Sequence, residues 1–157
     1  MNVTSPLSSH RRAELEAAAL ELLHLHNVDR PPVPIEDILL HPADDLWEPD
    51  LADLSVPSFN VHERYSARPS LARLVARYAG QSVWARQRAL TGSAGFTPDE
   101  ARYFASALLM PERWMATLPA SQRNPATVRL RFHVPTPDAA RRLTDLDSIA
   151  AAPDSQH

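Results

Sequence analysis

The stretch "FTPDEARYFASALLMP", residues 96–111, carries the signals of a helix that belongs in a core. The Thr97 hydroxyl can accept from a free N–H of the first turn, and Pro98 has the fixed φ that suits the first helical position. Glu100, three residues after Thr97, completes a capping-box spacing. Ala101, Phe104, Ala105 and Leu108 then recur at intervals of three and four, the stripe of a helix with one buried face. Pro111 closes this helix and starts a further short one.

Other helices are legible on both sides. Upstream, "SHRRAELEAAALELLHLH" (9–26) is capped by Ser9 and sets Leu15, Ala18, Ala19, Leu22 and Leu23 on one stripe. The proline-stiffened "NVDRPPVPIEDILLHP" (27–42) predicts a turn and a short helix over Ile35–Leu40. Two short strands are expected near Leu46–Trp47 and Ser58–Val61, kept near sheet edges by Pro49 and Pro57. A helix over 69–79 turns Leu71, Leu74, Val75 and Tyr78 inward. Downstream, Asn124–Pro125 and Thr136–Pro137 each open a short helix.

The expected fold is therefore α+β, mainly α-helical with a small β-sheet. One domain occupies residues 1–118, a C-terminal helical pair packed on it occupies 119–146, and 147–157 form a disordered tail.

Composition narrows the chemistry. All 16 basic residues are arginine, which points to a GC-rich bacterial genome and excludes lysine-based Schiff-base or P-loop chemistry. With no cysteine there is no disulfide framework, thiolate metal site or cysteine nucleophile. No run reaches the roughly 18 consecutive apolar residues of a membrane span, and the N-terminus lacks a secretory pattern, so a cytoplasmic protein is expected. The net charge of −3 argues against a dedicated nucleic-acid binder. Residues 1–60 carry 11 acids and 3 arginines, whereas 61–120 carry 8 arginines and 4 acids, a split that suits internal pairing as well as a binding patch.

Within "ARPSLARLVARYAG" (67–80), Arg73 and Arg77 stand one helical turn apart and leave the same face. A bland reading makes them a solvated basic face. His24 and His26 of "HLH" diverge by about 200° on a helix, too far for one metal. His62 and His133 read as surface or loop histidines, and Trp47, Trp84 and Trp114 as core or rim residues.

The segments "PPVPIEDIL" (31–39), "EARYFASALLMP" (100–111) and "RFHVPTPDAARRL" (131–143) together resemble the ImmA/IrrE family of small bacterial zinc endopeptidases. In that family a helix of the form R-F-x-x-A-H-E-x-G-H precedes E-A-N-x-F-A-x-x-L-L-M-P, and "FASALLMP" is the most specific match. The resemblance implies a reduced zincin-like fold. It lays Arg73 and Arg77 on the two zinc histidines, Leu74 on the catalytic glutamate, and Glu100 (or Asp99) on the third, acidic ligand.

A protonated guanidinium has no lone pair for a metal, and leucine cannot take a proton from zinc-bound water. What the resemblance implies here is thus a pseudopeptidase without zinc or another cofactor. Arg73 or Arg77 would occupy the volume left by the metal and pair with Glu100. Active members cleave helix-turn-helix repressors, so a repressor-like protein is the implied partner, held in a groove beside the 69–79 helix with Trp84, Arg77 and Tyr78 as candidate contacts. Two alternatives stay open. One is an active metallo-endopeptidase with an unrecognised ligand set. The other is a DNA-binding regulator that touches phosphates through Arg129, Arg131, Arg141 and Arg142 of the C-terminal pair.

Overall fold

The computed structural model describes residues 6–50, 52 and 64–151. Helix α1 (Ser9–Leu25) buries Leu15, Ala18, Ala19, Leu22 and Leu23 as its stripe predicts, but Ser8 caps it instead of Ser9, its Oγ accepting from Arg11 N at 3.1 Å. Helix α2 (Ile35–Leu40) contributes Ile35, Ile38 and Leu39 to the core. Helix α3 (Ala67–Gln81) is longer than the spacing predicts, and Ser82 ends it and caps the short α4 (Val83–Gln87). Its buried face is Leu71, Ala72, Val75, Ala76, Ala79 and Gly80, while Leu74 and Tyr78 are only half-buried.

Helix α5 (Pro98–Leu109) is the centre of the molecule. Thr97 caps it through Glu100 N at 3.2 Å, and Tyr103, Phe104, Ala105, Ala107, Leu108 and Leu109 are all buried. A helix apolar over most of its circumference must be covered on several sides. Here α1 and α3 lie against it as its main neighbours. Ala72, Ala76 and Ala79 lie on the buried face of α3, and small side chains there let two helices approach closely. After the short α6 (Glu112–Met115), helices α7 (Pro125–Phe132) and α8 (Thr136–Ala151) pack on each other. One continuous cluster of buried side chains runs from Leu15 through Val128, Phe132 and Val134 to Ala139. Helix α8 includes 147–151, the first part of the stretch read from sequence as a tail, and 152–157 lie outside the described residues.

The expected small β-sheet is absent: among the described residues the chain is all-helical, with one isolated bridge between Gly92 and Gly95. Leu46–Trp47 is not a strand. Asp44 and Asp45 just before it take positive φ values of 53° and 51°, which turns the chain instead of extending it. The Trp47 indole donates to the Leu39 carbonyl at 3.0 Å and stacks on Tyr78, with centroids 6.3 Å apart. The tryptophan thus pins a loop onto α2 and α3, and among the described residues no neighbouring strand supplies a ladder. The second expected strand, Ser58–Val61, lies outside the described residues, as does His62.

Candidate functional site

Ser70, Arg73, Leu74, Arg77 and Gln81 follow one another at helical spacing along the face of α3 turned away from the core. Opposite them stand Ala94, Gly95 and Phe96 of the preceding loop with Pro98 and Ala101 of α5, and together they enclose a groove of about 420 Å³. Gly80 leaves room for the Phe96 wall: a Cβ there would come within 2.6 Å of the Phe96 ring. Phe96 can therefore lie over α3 while its ring meets Phe104, with centroids 5.1 Å apart. Gly95 turns the loop with φ +76°, a value glycine adopts without strain.

Arg73 and Arg77 are exposed on this groove, and Leu74 is half-buried between them. The Arg73 guanidinium reaches Ser70 Oγ at 3.3 Å, and that of Arg77 lies 5.6 Å from the Tyr78 ring centre. Neither pairs with Glu100 as expected. Glu100 turns to the other side of α5, where Arg11 Nη2 donates to its Oε2 at 2.6 Å and to the Leu90 carbonyl at 2.7 Å. Arg11 also donates to Glu14 at 2.8 Å, and both members of the Arg11–Glu100 pair are largely buried, 22% and 17% exposed. The cross-helix ion pair exists, but it joins α5 to α1. The reason is position: Ala101, one residue on, faces the groove, and a step of about 100° carries Glu100 away from it.

Trp84 is not a wall of this groove. It is 5% exposed, packed in the core, with the Arg88 guanidinium 4.9 Å from its ring centre. Tyr78 is tied into the loop around Trp47, and its hydroxyl accepts from Asp50 N at 3.2 Å. Of the candidate contacts, only Arg77 lines the groove. His133 sits in the α7–α8 turn with φ 56°, its ring stacked on Tyr65 at 4.7 Å. Burial, with Arg68 and Arg64 nearby, holds its pKa below the usual histidine value. Among the described residues no group of three His, Asp or Glu side chains is placed to hold a metal ion.

Several structural arginines escaped the sequence reading. Arg142 is fully buried; its Nε donates to the Met110 carbonyl at 2.9 Å and its Nη2 to Glu16 Oε1 at 2.5 Å. Tyr103 donates to the same carboxylate oxygen at 3.0 Å, and burial beside Glu16 raises its phenol pKa well above normal. Withdrawn into this cluster, Arg142 cannot serve a nucleic-acid phosphate as the DNA-binding alternative required. A signal was present: Ala139, Arg142, Leu143 and Leu146 share one helical stripe, so Arg142 occupies a core position. Arg68 likewise donates to the carbonyls of His133 and Val33, each at 2.7 Å, tying α3 to two distant turns.

No protein-family model, curated protein or solved structure matches the chain. No helix among the described residues is long and apolar enough to cross a membrane.

Proposed function

We propose that the chain is a protein-binding regulatory factor, a degenerate relative of the ImmA/IrrE peptidases that holds a partner where those enzymes would hold a substrate. The groove beside α3 carries this reading. Arg73 and Arg77 flank Leu74 along it, the facing wall of Ala94, Gly95, Phe96, Pro98 and Ala101 is small or apolar, and among the described residues no carboxylate lines it. Such a surface suits an acidic segment with an apolar residue: the arginines fork onto carboxylates, and the apolar side chain settles against Leu74, Phe96 and Ala101. The side chains at 73, 74 and 77 support binding without turnover, because they offer neither a metal lone pair nor a general base. A helix-turn-helix repressor is the partner class that the resemblance implies.

Fluorescence polarisation with labelled acidic–apolar and basic–apolar peptides tests the reading, on the wild type and on a double Arg73→Glu, Arg77→Glu variant. The wild type should bind the acidic peptide at least roughly tenfold more tightly, and the double variant should lose that preference. Equal binding of both peptides, or a preference that survives in the variant, would overturn it. About one zinc per purified chain together with zinc-dependent cleavage of these peptides would replace it with an active peptidase.

A further inference from the structure

Arg73 borders a second, smaller hollow of about 70 Å³ where α3, α5 and α8 meet, walled also by Arg102, Ser106, Asp138 and Arg141. Three arginines lining one small space set a positive potential around it. The structure supplies some negative charge against it. Asp138 is in the wall, and Asp145 lies 3.6 Å from Arg102 Nη1. Three positive charges against two negative ones leave an excess of one.

The internal compensation is also poor. The Arg102–Asp145 separation is too long for a hydrogen bond, and Arg102 Nε and Asp145 Oδ2 are both buried without hydrogen-bond partners. Arg102 therefore has donor capacity left over. Burial raises the Asp138 carboxyl pKa despite the opposing pull of Arg73 and Arg141, both of which share the hollow with it. Asp138 is in the first turn of the 16-residue α8, so the positive end of a long helix adds to the same field.

We propose that this hollow binds a phosphate group, free or carried on a phosphorylated side chain, through Arg73, Arg102, Arg141 and the Ser106 hydroxyl. Three planar forks and a hydroxyl can serve the several oxygens of a tetrahedral anion, whereas a planar carboxylate engages one or two of them. The space admits a group of that size and excludes a nucleotide. The proposal does not rest on the groove reading. It is measured on the chain alone, and Arg141 borders this hollow without lining the groove.

The test is calorimetric titration with inorganic phosphate, with sodium acetate and sodium chloride as controls at matched ionic strength. A phosphoserine peptide and its unphosphorylated twin form a second arm that separates free from protein-borne phosphate. Phosphate should bind saturably to the wild type. Arg141→Gln and Arg73→Gln should each weaken it roughly tenfold, and Asp138→Asn, which removes the competing carboxylate, should tighten it several-fold. A merely structural role for Asp138 would not predict tighter binding. Phosphate that binds no better than chloride, acetate that binds as well as phosphate, or affinity unchanged in both arginine variants would each overturn the proposal. Circular dichroism of the variants, whose altered residues are exposed or half-buried, checks that the helices are intact.

Discussion

Arg142 and Arg73 are the same residue put to opposite uses. Arg142 is enclosed between α1, α5 and α8, where Glu16, the Met110 carbonyl and the Tyr103 ring, 5.5 Å away, receive it. Arg73 stands exposed between two concavities, and its guanidinium donates to the hydroxyl of Ser70, one turn earlier on its own helix. The α1 seam spends its charges on internal ties: Glu16 with Arg142, Glu100 with Arg11, and Glu21 with Arg88, whose Nε lies 2.8 and 2.9 Å from the two carboxylate oxygens. On the outer face of α3, Arg73 stays exposed beside both hollows. An arginine is thus a strut or a contact according to whether a carboxylate from another helix reaches it.

The contrast is broken most severely by removing a strut. Arg142→Met leaves the Glu16 carboxylate buried beside Tyr103, and a cost of about 3–5 kcal/mol is expected in urea unfolding. Glu16→Gln should cost a comparable amount, and the double variant should cost less than the sum, because either change alone already breaks the pair.

The Arg11–Glu100 pair is less deeply buried, so Arg11→Met or Glu100→Gln should cost about 1–2 kcal/mol, again with coupling between the two. If Glu100 answered to Arg73 or Arg77, the coupling would appear with those residues instead, which a double-mutant cycle reads directly.

Two carboxylates sharpen the comparison through pH. The hydrogen bonds from Arg88 lower the Glu21 pKa, so its contribution is present above the ordinary glutamate value and is lost as pH falls through the folded-state value. Burial raises that of Asp138, so its contribution is complete below the ordinary aspartate value and is lost as pH rises through the folded-state value. Melting temperatures followed from about pH 3 to pH 7, spanning both ordinary values, should therefore show opposite effects. Glu21→Gln should flatten the acid side of the curve, and Asp138→Asn should remove a decline toward neutral pH.

The smallest effect belongs to the displayed face. Arg73→Met should change stability by no more than about 0.5 kcal/mol, as surface substitutions do. A loss of about 3 kcal/mol there, the size expected of a buried pair, would erase the distinction between the two regions.

Much of the helical frame was legible because its signals are local. Thr97–Pro98 and Asn124–Pro125 open α5 and α7 where their caps predict, and the stripe of α1 is buried residue for residue. A cap or a 3.6-residue stripe is set by neighbours within one or two turns. The strand reading of Leu46–Trp47 failed because short apolar runs are ambiguous between strand and loop, and here the tryptophan packs through its ring instead of through a backbone ladder. For the site, the sequence identified the face of α3 that carries Arg73, Leu74 and Arg77, and this face does line a groove. Trp84 fits its core reading and not its groove reading, because its side of the fold depends on how α4 turns after Ser82.

The sequence by itself determined where most helices begin, which faces of α1 and α5 are apolar, and that positions 73, 74 and 77 lack the donors and the base of a zinc peptidase. These follow from side-chain chemistry and short-range geometry alone. Only the tertiary structure decided that Glu100 belongs to Arg11, that Arg142 is a core residue and that Arg73 overlooks two hollows at once. Such pairings join residues 89 and 126 positions apart for Arg11–Glu100 and Glu16–Arg142. Which guanidinium meets which carboxylate is set by the packing of α1, α3 and α8 around α5, because a charge leaves water only where the fold brings its partner within reach.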